Sequence, residues 1–160
     1  MFGLAVVVFA LDRITKVLVE SYVSVWDTYV VVPHLFNIIH SKNRGAAFGI
    51  LADAPGEWRT FFLVGLTLIV LVFVASLLWQ TTSTTSKDGR WLRLALALVL
   101  GGALGNIYDR IFYGMVTDFL DLYLGSYHWH TFNIADSAIT LGSALLIFDL
   151  WQGRTHKAKA

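Results

Sequence analysis

"TFFLVGLTLIVLVFVASLLWQ", residues 60–80, contains no charged side chain. A helix of about 20 mainly apolar residues crosses the hydrocarbon core of a bilayer. This stretch therefore predicts an integral membrane protein. The rest of the chain agrees. Of its 160 residues 56% are hydrophobic and only 14% charged, against roughly 25% charged in soluble domains. The length suits a single domain over residues 1–160.

Three further apolar segments flank the span centred on residues 61–79: 2–22, 94–112 and 135–151. Together they predict an all-α membrane fold of four transmembrane helices. The first is broken by Asp12, Arg13, Lys16 and Glu20, and charges at such depth face a bundle interior or a wet cavity. Its flank "LDRITK" (11–16) lacks the small residues of a cleavage site, so the segment reads as a retained helix, not a removed signal peptide.

Composition also excludes functions. With no cysteine, disulfides, thiolate catalysis and Cys-ligated metals are out. A net charge of +1 gives no case for nucleic acid. His128 and His130 in "YHWH" have strand-like spacing and read as polar residues at a wet interface. No metal and no cofactor is expected.

Short loops rich in Lys and Arg stay cytoplasmic. The loop "TTSTTSKDGR" (81–90) and the tail "GRTHKAKA" (153–160) fall on one side of a four-span chain, which predicts both termini cytoplasmic. Residues 23–58 and 113–132 then face outward. In the first of these, "TYVVVPHLFNIIHSKNRGAAFGIL" (28–51) has β-branched and aromatic runs broken at Pro33 and near "KNRG". It predicts short strands forming a small extracytoplasmic sheet at the outer membrane surface. Gly45 suits a turn or a close backbone approach. In the second, "FLDLYLGSYHWHTF" (119–132) predicts a hairpin turning near Gly125 and Ser126.

Two carboxylates fall at that outer edge. Asp118 follows the third helix by six residues. Asp136 lies in the first turn of the fourth, after Asn133, a good N-cap. An Asp at a helix N-terminus is stabilising by typically 0.3–1 kcal/mol, and a loop Asp can simply be solvated. Placed together beside an apolar site, however, two carboxylates cannot both ionise easily and titrate as a unit. Such a pair offers one base and one acid at the same pH, as aspartic proteases require. Ser137 and Ser143 have no intramembrane Lys nearby in sequence.

On the third helix, Asn106 and Arg110 are four apart and share a face, while Gly101, Gly102 and Gly105 permit close packing. Arg110 is expected to pair with Asp109, or else to hold a phosphate or a substrate carbonyl. Asp12 and Lys16, at i,i+4, read as a structural pair, with Glu20 extending the ladder. A transporter or channel using the two Asp for a cation, and a noncatalytic scaffold, are the competing classes. Transporters often show internal repeats and broken helices, and neither occurs here.

At this point the residues resemble the lipoprotein signal peptidases (signal peptidase II), aspartic peptidases of the bacterial inner membrane. "LDRITK" (11–16), "NRGAAFGIL" (43–51), "GGALGNIYDRIFYGMVTDFLD" (101–121) and "FNIADSAITLG" (132–142) carry the resemblance over nearly the whole chain. The pattern N-x-x-D-R-x-x-x-G-x-V-x-D-F is met from Asn106 to Phe119. The chain departs in having no basic residue before its first helix.

The resemblance implies a catalytic pair of Asp118 and Asp136. It implies supporting or substrate-binding roles for Asp12, Lys16, Asn43, Gly45, Asn106, Arg110 and Asn133. It further implies an endopeptidase that removes the signal peptide from diacylglyceryl-modified prolipoproteins, immediately before the lipid-modified cysteine. The partners so implied are the prolipoprotein and membrane lipid, and a monomer is expected. The active site would lie near the outer face.

Overall fold

The computed structural model describes residues 1–45, 58–82 and 89–157, with side chains to residue 152. Residues 46–51 of the segment "NRGAAFGIL", Lys87 in the basic loop and the last three residues lie outside that description. The described residues form four helices: α1 (Phe2–Tyr22), α2 (Trp58–Thr82), α3 (Arg90–Tyr113) and α4 (Ile134–Lys157). Strands β1 (Thr28–Val32) and β2 (Phe36–Asn43) lie between α1 and α2, and β3 (Val116–Leu124) and β4 (Tyr127–His128) between α3 and α4.

By length and composition α2, α3 and α4 can each cross a membrane. The first helix has the same length class, 21 residues, but carries four charged side chains on one apolar helix. It hides the costly ones: Asp12 and Lys16 are fully buried, while Val6, Val7, Leu11, Ile14, Val17 and Leu18 point outward. The molecule is thus a four-helix membrane bundle, inverted relative to a soluble core in that large apolar groups cover its outside. Helix α4 runs past the expected residue 151 to Lys157, so the basic tail begins as helix.

The central helix is α3. It packs against α1, α2 and α4, whereas α2 and α4 scarcely touch each other. Leu71, Val74 and Leu78 of α2 meet Leu96, Leu100 and Ala103 of α3 in the buried core. Glycines bring the backbones close on the other sides. A Cβ on Gly102 would lie 2.4 Å from the Ala135 carbonyl oxygen, and one on Gly105 would lie 2.4 Å from Asp12 Oδ2.

The two connections predicted to face one side join in one antiparallel sheet of order β1-β2-β3-β4. Val32-Pro33-His34-Leu35 links β1 to β2 with proline second, a positive φ (64°) at His34 and a Leu35 N–H bond to the Val32 carbonyl, the arrangement of a type II turn. Strand β2 then pairs with β3, Ser41 opposite Asp118 and Asn43 opposite Val116. Gly114 makes this possible. It ends α3 in the left-handed conformation (φ 72°), its N–H bonded to the Arg110 carbonyl, as C-terminal glycines do. The chain enters β3 two residues later.

Candidate active site

Asp118 sits on β3, not in a loop as its flanking sequence suggested, and is 2% exposed. Asp136 lies in the first turn of α4. Asn133 joins the two. Its Nδ2 donates to Asp118 Oδ1 at 2.7 Å, and its Oδ1 accepts the Asp136 N–H at 2.9 Å. In return Asp136 Oδ2 accepts the Asn133 N–H at 3.2 Å. This is a reciprocal capping box, with the N-cap and N3 side chains satisfying each other's backbone donors.

Each remaining carboxylate oxygen has its own amide donor. Asn43 Nδ2 lies 3.0 Å from Asp118 Oδ2, and Asn106 Nδ2 lies 2.7 Å from Asp136 Oδ1. Three asparagines from β2, α3 and the start of α4 thus hold the pair. No Lys or Arg ion pair to either carboxylate is present among the described residues. Burial, with the Asp136 carboxylate second, raises Asp118 from the ordinary carboxyl range to about 6. Hydrogen bonds from Asn43 and Asn133 oppose the shift without cancelling it.

Both carboxylates face an apolar cavity of about 810 Å³. Leu63, Leu66 and Val70 of α2 line one side, Val99 and Ala103 of α3 the floor, and Ile139 and Leu141 of α4 the other side. The separation of α2 from α4 creates this groove, and Asn43, Asn106 and Arg110 reach it at the end where the carboxylates lie.

The expected Arg110–Asp109 pair does not form. Neighbouring residues on a helix point in different directions, and here they serve opposite faces of α3. Arg110 donates to the Gly45 carbonyl at 3.0 Å and the Asn106 carbonyl at 3.3 Å. Gly45 is buried, and its N–H bonds to Asn43 Oδ1 at 2.9 Å. Asp109 instead faces α1, pairing with Arg13 and, at 2.8 Å, with Lys16.

The Asp12–Lys16 pair also reaches further than a ladder on one helix. Lys16 Nζ lies 2.8 Å from Asp12 and donates to Asn106 Oδ1 at 3.1 Å. Asp12 Oδ1 accepts the Ala135 N–H at 2.9 Å, satisfying one of the free donors that every helix N-terminus leaves. Because an ammonium has only hydrogens to offer, Lys16 fixes which end of the Asn106 amide turns to Asp136. Glu20 leaves the ladder altogether and bonds Lys42 and Thr117. Arg13, Asp109 and Thr117 were missed as members of this network, although the divergence of adjacent helical residues could have separated Asp109 from Arg110.

The chain is similar to known proteins over nearly its whole length. The family model described as "Signal peptidase (SPase) II" matches residues 4–152. A "Lipoprotein signal peptidase" of Solibacter usitatus is 53% identical over 98% of this chain and 93% of its own length. One of Maridesulfovibrio salexigens is 42% identical over 94% of each. Among solved structures, a bacterial membrane enzyme determined by the in meso method at 2.3 Å superposes with a TM-score of 0.81 at 33% identity, over 96% of this chain and 88% of that one. With four membrane helices, the small sheet and the quoted motifs in place, the chain belongs to the signal peptidase II family.

Proposed function

We propose that this protein removes the signal peptide from diacylglyceryl-modified prolipoproteins by aspartic catalysis, cutting immediately before the lipid-modified cysteine. The observation that carries this reading is a pair of carboxylates held by neutral amides at one end of an apolar groove. A soluble peptide would gain little from such a groove. A diacylated one gains about 0.8 kcal/mol for each CH₂ it buries.

In this mechanism Asp118 is the acid, since it keeps its proton to about pH 6 and a bound substrate, by expelling water, raises it further. Asp136 is the base. It takes a proton from water, whose oxygen attacks the scissile carbonyl carbon while Asp118 protonates the carbonyl oxygen. The tetrahedral diol then collapses: Asp136 gives its proton to the leaving amine as the C–N bond breaks, one diol hydroxyl returns its proton to Asp118, and the new carboxyl ends the signal peptide. Asn43, Asn106 and Asn133 orient the carboxylates throughout, and Arg110 and Gly45 shape the adjoining wall.

The protein acts as a monomer in the bacterial inner membrane, with both termini cytoplasmic and the sheet on the outer side. The basic loop and tail support that orientation. Tyr127 is 69% exposed on the sheet, so a Tyr127→Cys chain should react with an impermeant thiol reagent from outside; reaction only after the membrane is breached would reverse the orientation.

The deciding experiment gives purified protein a prolipoprotein with and without its diacylglyceryl group. Signal-peptide release from the modified form alone is expected. Equal turnover of both forms would point to a general signal peptidase.

A further inference from the structure

Beyond the dyad, one wall of the groove lies beside a further buried carboxylate, Asp121. Trp129, His130, Thr131 and Phe132 line the cavity immediately after β4. Strand β4 is only two residues long, paired as Tyr123 with His128 and Leu124 with Tyr127. So short a ladder is weak by itself. Asp121 on β3 is 3% exposed, and both its oxygens face His128 Nδ1, at 2.9 and 3.0 Å. Asn37 of β2 donates to the same carboxylate at 2.9 Å. The His128 ring stacks on Tyr123, with centroids 5.0 Å apart and planes 9° from parallel. The Tyr123 hydroxyl accepts the His34 N–H at 2.9 Å.

This chain of contacts runs from the β1–β2 turn through β3 to the residue that precedes the wall. We propose that His128 is a positioning residue for substrate recognition: its bond to Asp121 fixes residues 129–132 in the register that shapes the groove beside Asp118. Trp129 then bonds the Leu122 carbonyl at 2.7 Å, and Phe132 bonds Leu120 at the far end of the wall. An apolar contact could also close the hairpin, but only a directional pair specifies one placement for the side chains that follow. The proposal rests on the groove being the substrate site.

Three variants of the full-length protein separate the contributions. His128→Ala removes donor and stack, His128→Phe keeps the stack without the donor, and His128→Asn keeps a donor without the stack. With diacylated prolipoprotein, Ala and Phe should raise KM about tenfold, as loss of a hydrogen bond to a charged group does, with kcat within about twofold. Asn should recover most of the KM. Binding of a diacylated peptide to the same variants reads the groove even where no cleavage occurs, which separates failure of this proposal from failure of the peptidase reading. His128 side chains are 53% exposed, so the substitutions are borne at the surface; if Ala fails to fold, Phe against Asn decides. Wild-type KM and peptide affinity in His128→Phe, or a loss of kcat alone, would overturn the proposal.

Discussion

On the α1 side of α3, Asp12 and Asp109 share the ammonium of Lys16, and Asp109 also holds Arg13. On the groove side, Asp118 and Asp136 accept hydrogen bonds from asparagine amides. All but Asp136 of these four carboxylates are almost wholly buried. A cation favours the charged form of a carboxylate, whereas a neutral donor supports the charge more weakly. The first arrangement builds; the second can do chemistry. Asn106 links them, accepting from Lys16 through one end of its amide and donating to Asp136 through the other.

The contrast breaks most visibly at the dyad. Asp118→Asn and Asp136→Asn should each lower turnover by roughly 10⁴-fold, the upper range for lost acid–base catalysis, while the protein still inserts and folds. Near wild-type release of signal peptide by either variant would remove that residue from the mechanism.

On the other face the loss should appear in stability. Lys16→Met leaves Asp12 without its cation and Asp109 with Arg13 alone, costing about 3–5 kcal/mol. Asp12→Ala should cost less, because Lys16 retains Asp109 and Asn106. The double variant should not return to wild type, since Asp109 still lacks Lys16. Thermal unfolding in detergent orders the three, and equal melting temperatures for the two single variants would show that Asp109 does not draw on Lys16.

A third test uses pH. The Asp118 carboxyl is raised in the fold from 3.8 to about 6. Its favourable contribution is therefore complete below about pH 4 and is lost as pH rises through 6. Asp118→Asn has no such titration. Relative to wild type its stability should rise between pH 4 and pH 8 by up to about 3 kcal/mol, two pH units' worth. Parallel unfolding curves across that range would mean that Asp118 is not held in a poorly hydrated site.

The smallest effect tests the amides themselves. The Asn43 bond favours ionised Asp118, so Asn43→Ala should move the alkaline fall of kcat/KM upward, by about one pH unit. A downward move would assign Asn43 some task other than steadying the charge.

Much of this was legible in the sequence because it is local. Hydropathy placed four helices, with α1 at its observed bounds, and turn residues placed the breaks at Pro33 and Gly125. Asn133 before Asp136 announced a helix start. What stayed hidden depends on segments far apart in the chain. Asp118 looked like a loop residue because its strand exists only through pairing with β2, some 75 residues earlier. Asp109 was assigned to its neighbour Arg110 when its partners lie on α1, 96 residues away. Asp121 and His128, only seven apart, were separable in principle, but nothing local marks Asp121 as buried.

The bond from the Ala135 N–H to Asp12 also sets a timetable. It joins two residues made 123 positions apart, and Asn133, which steadies Asp118, arrives with the same later helix. A growing chain that has threaded three helices into the bilayer has neither its second carboxylate nor the amide that orients the first. Under the proposed mechanism the ribosome therefore delivers an inert precursor until α4 emerges.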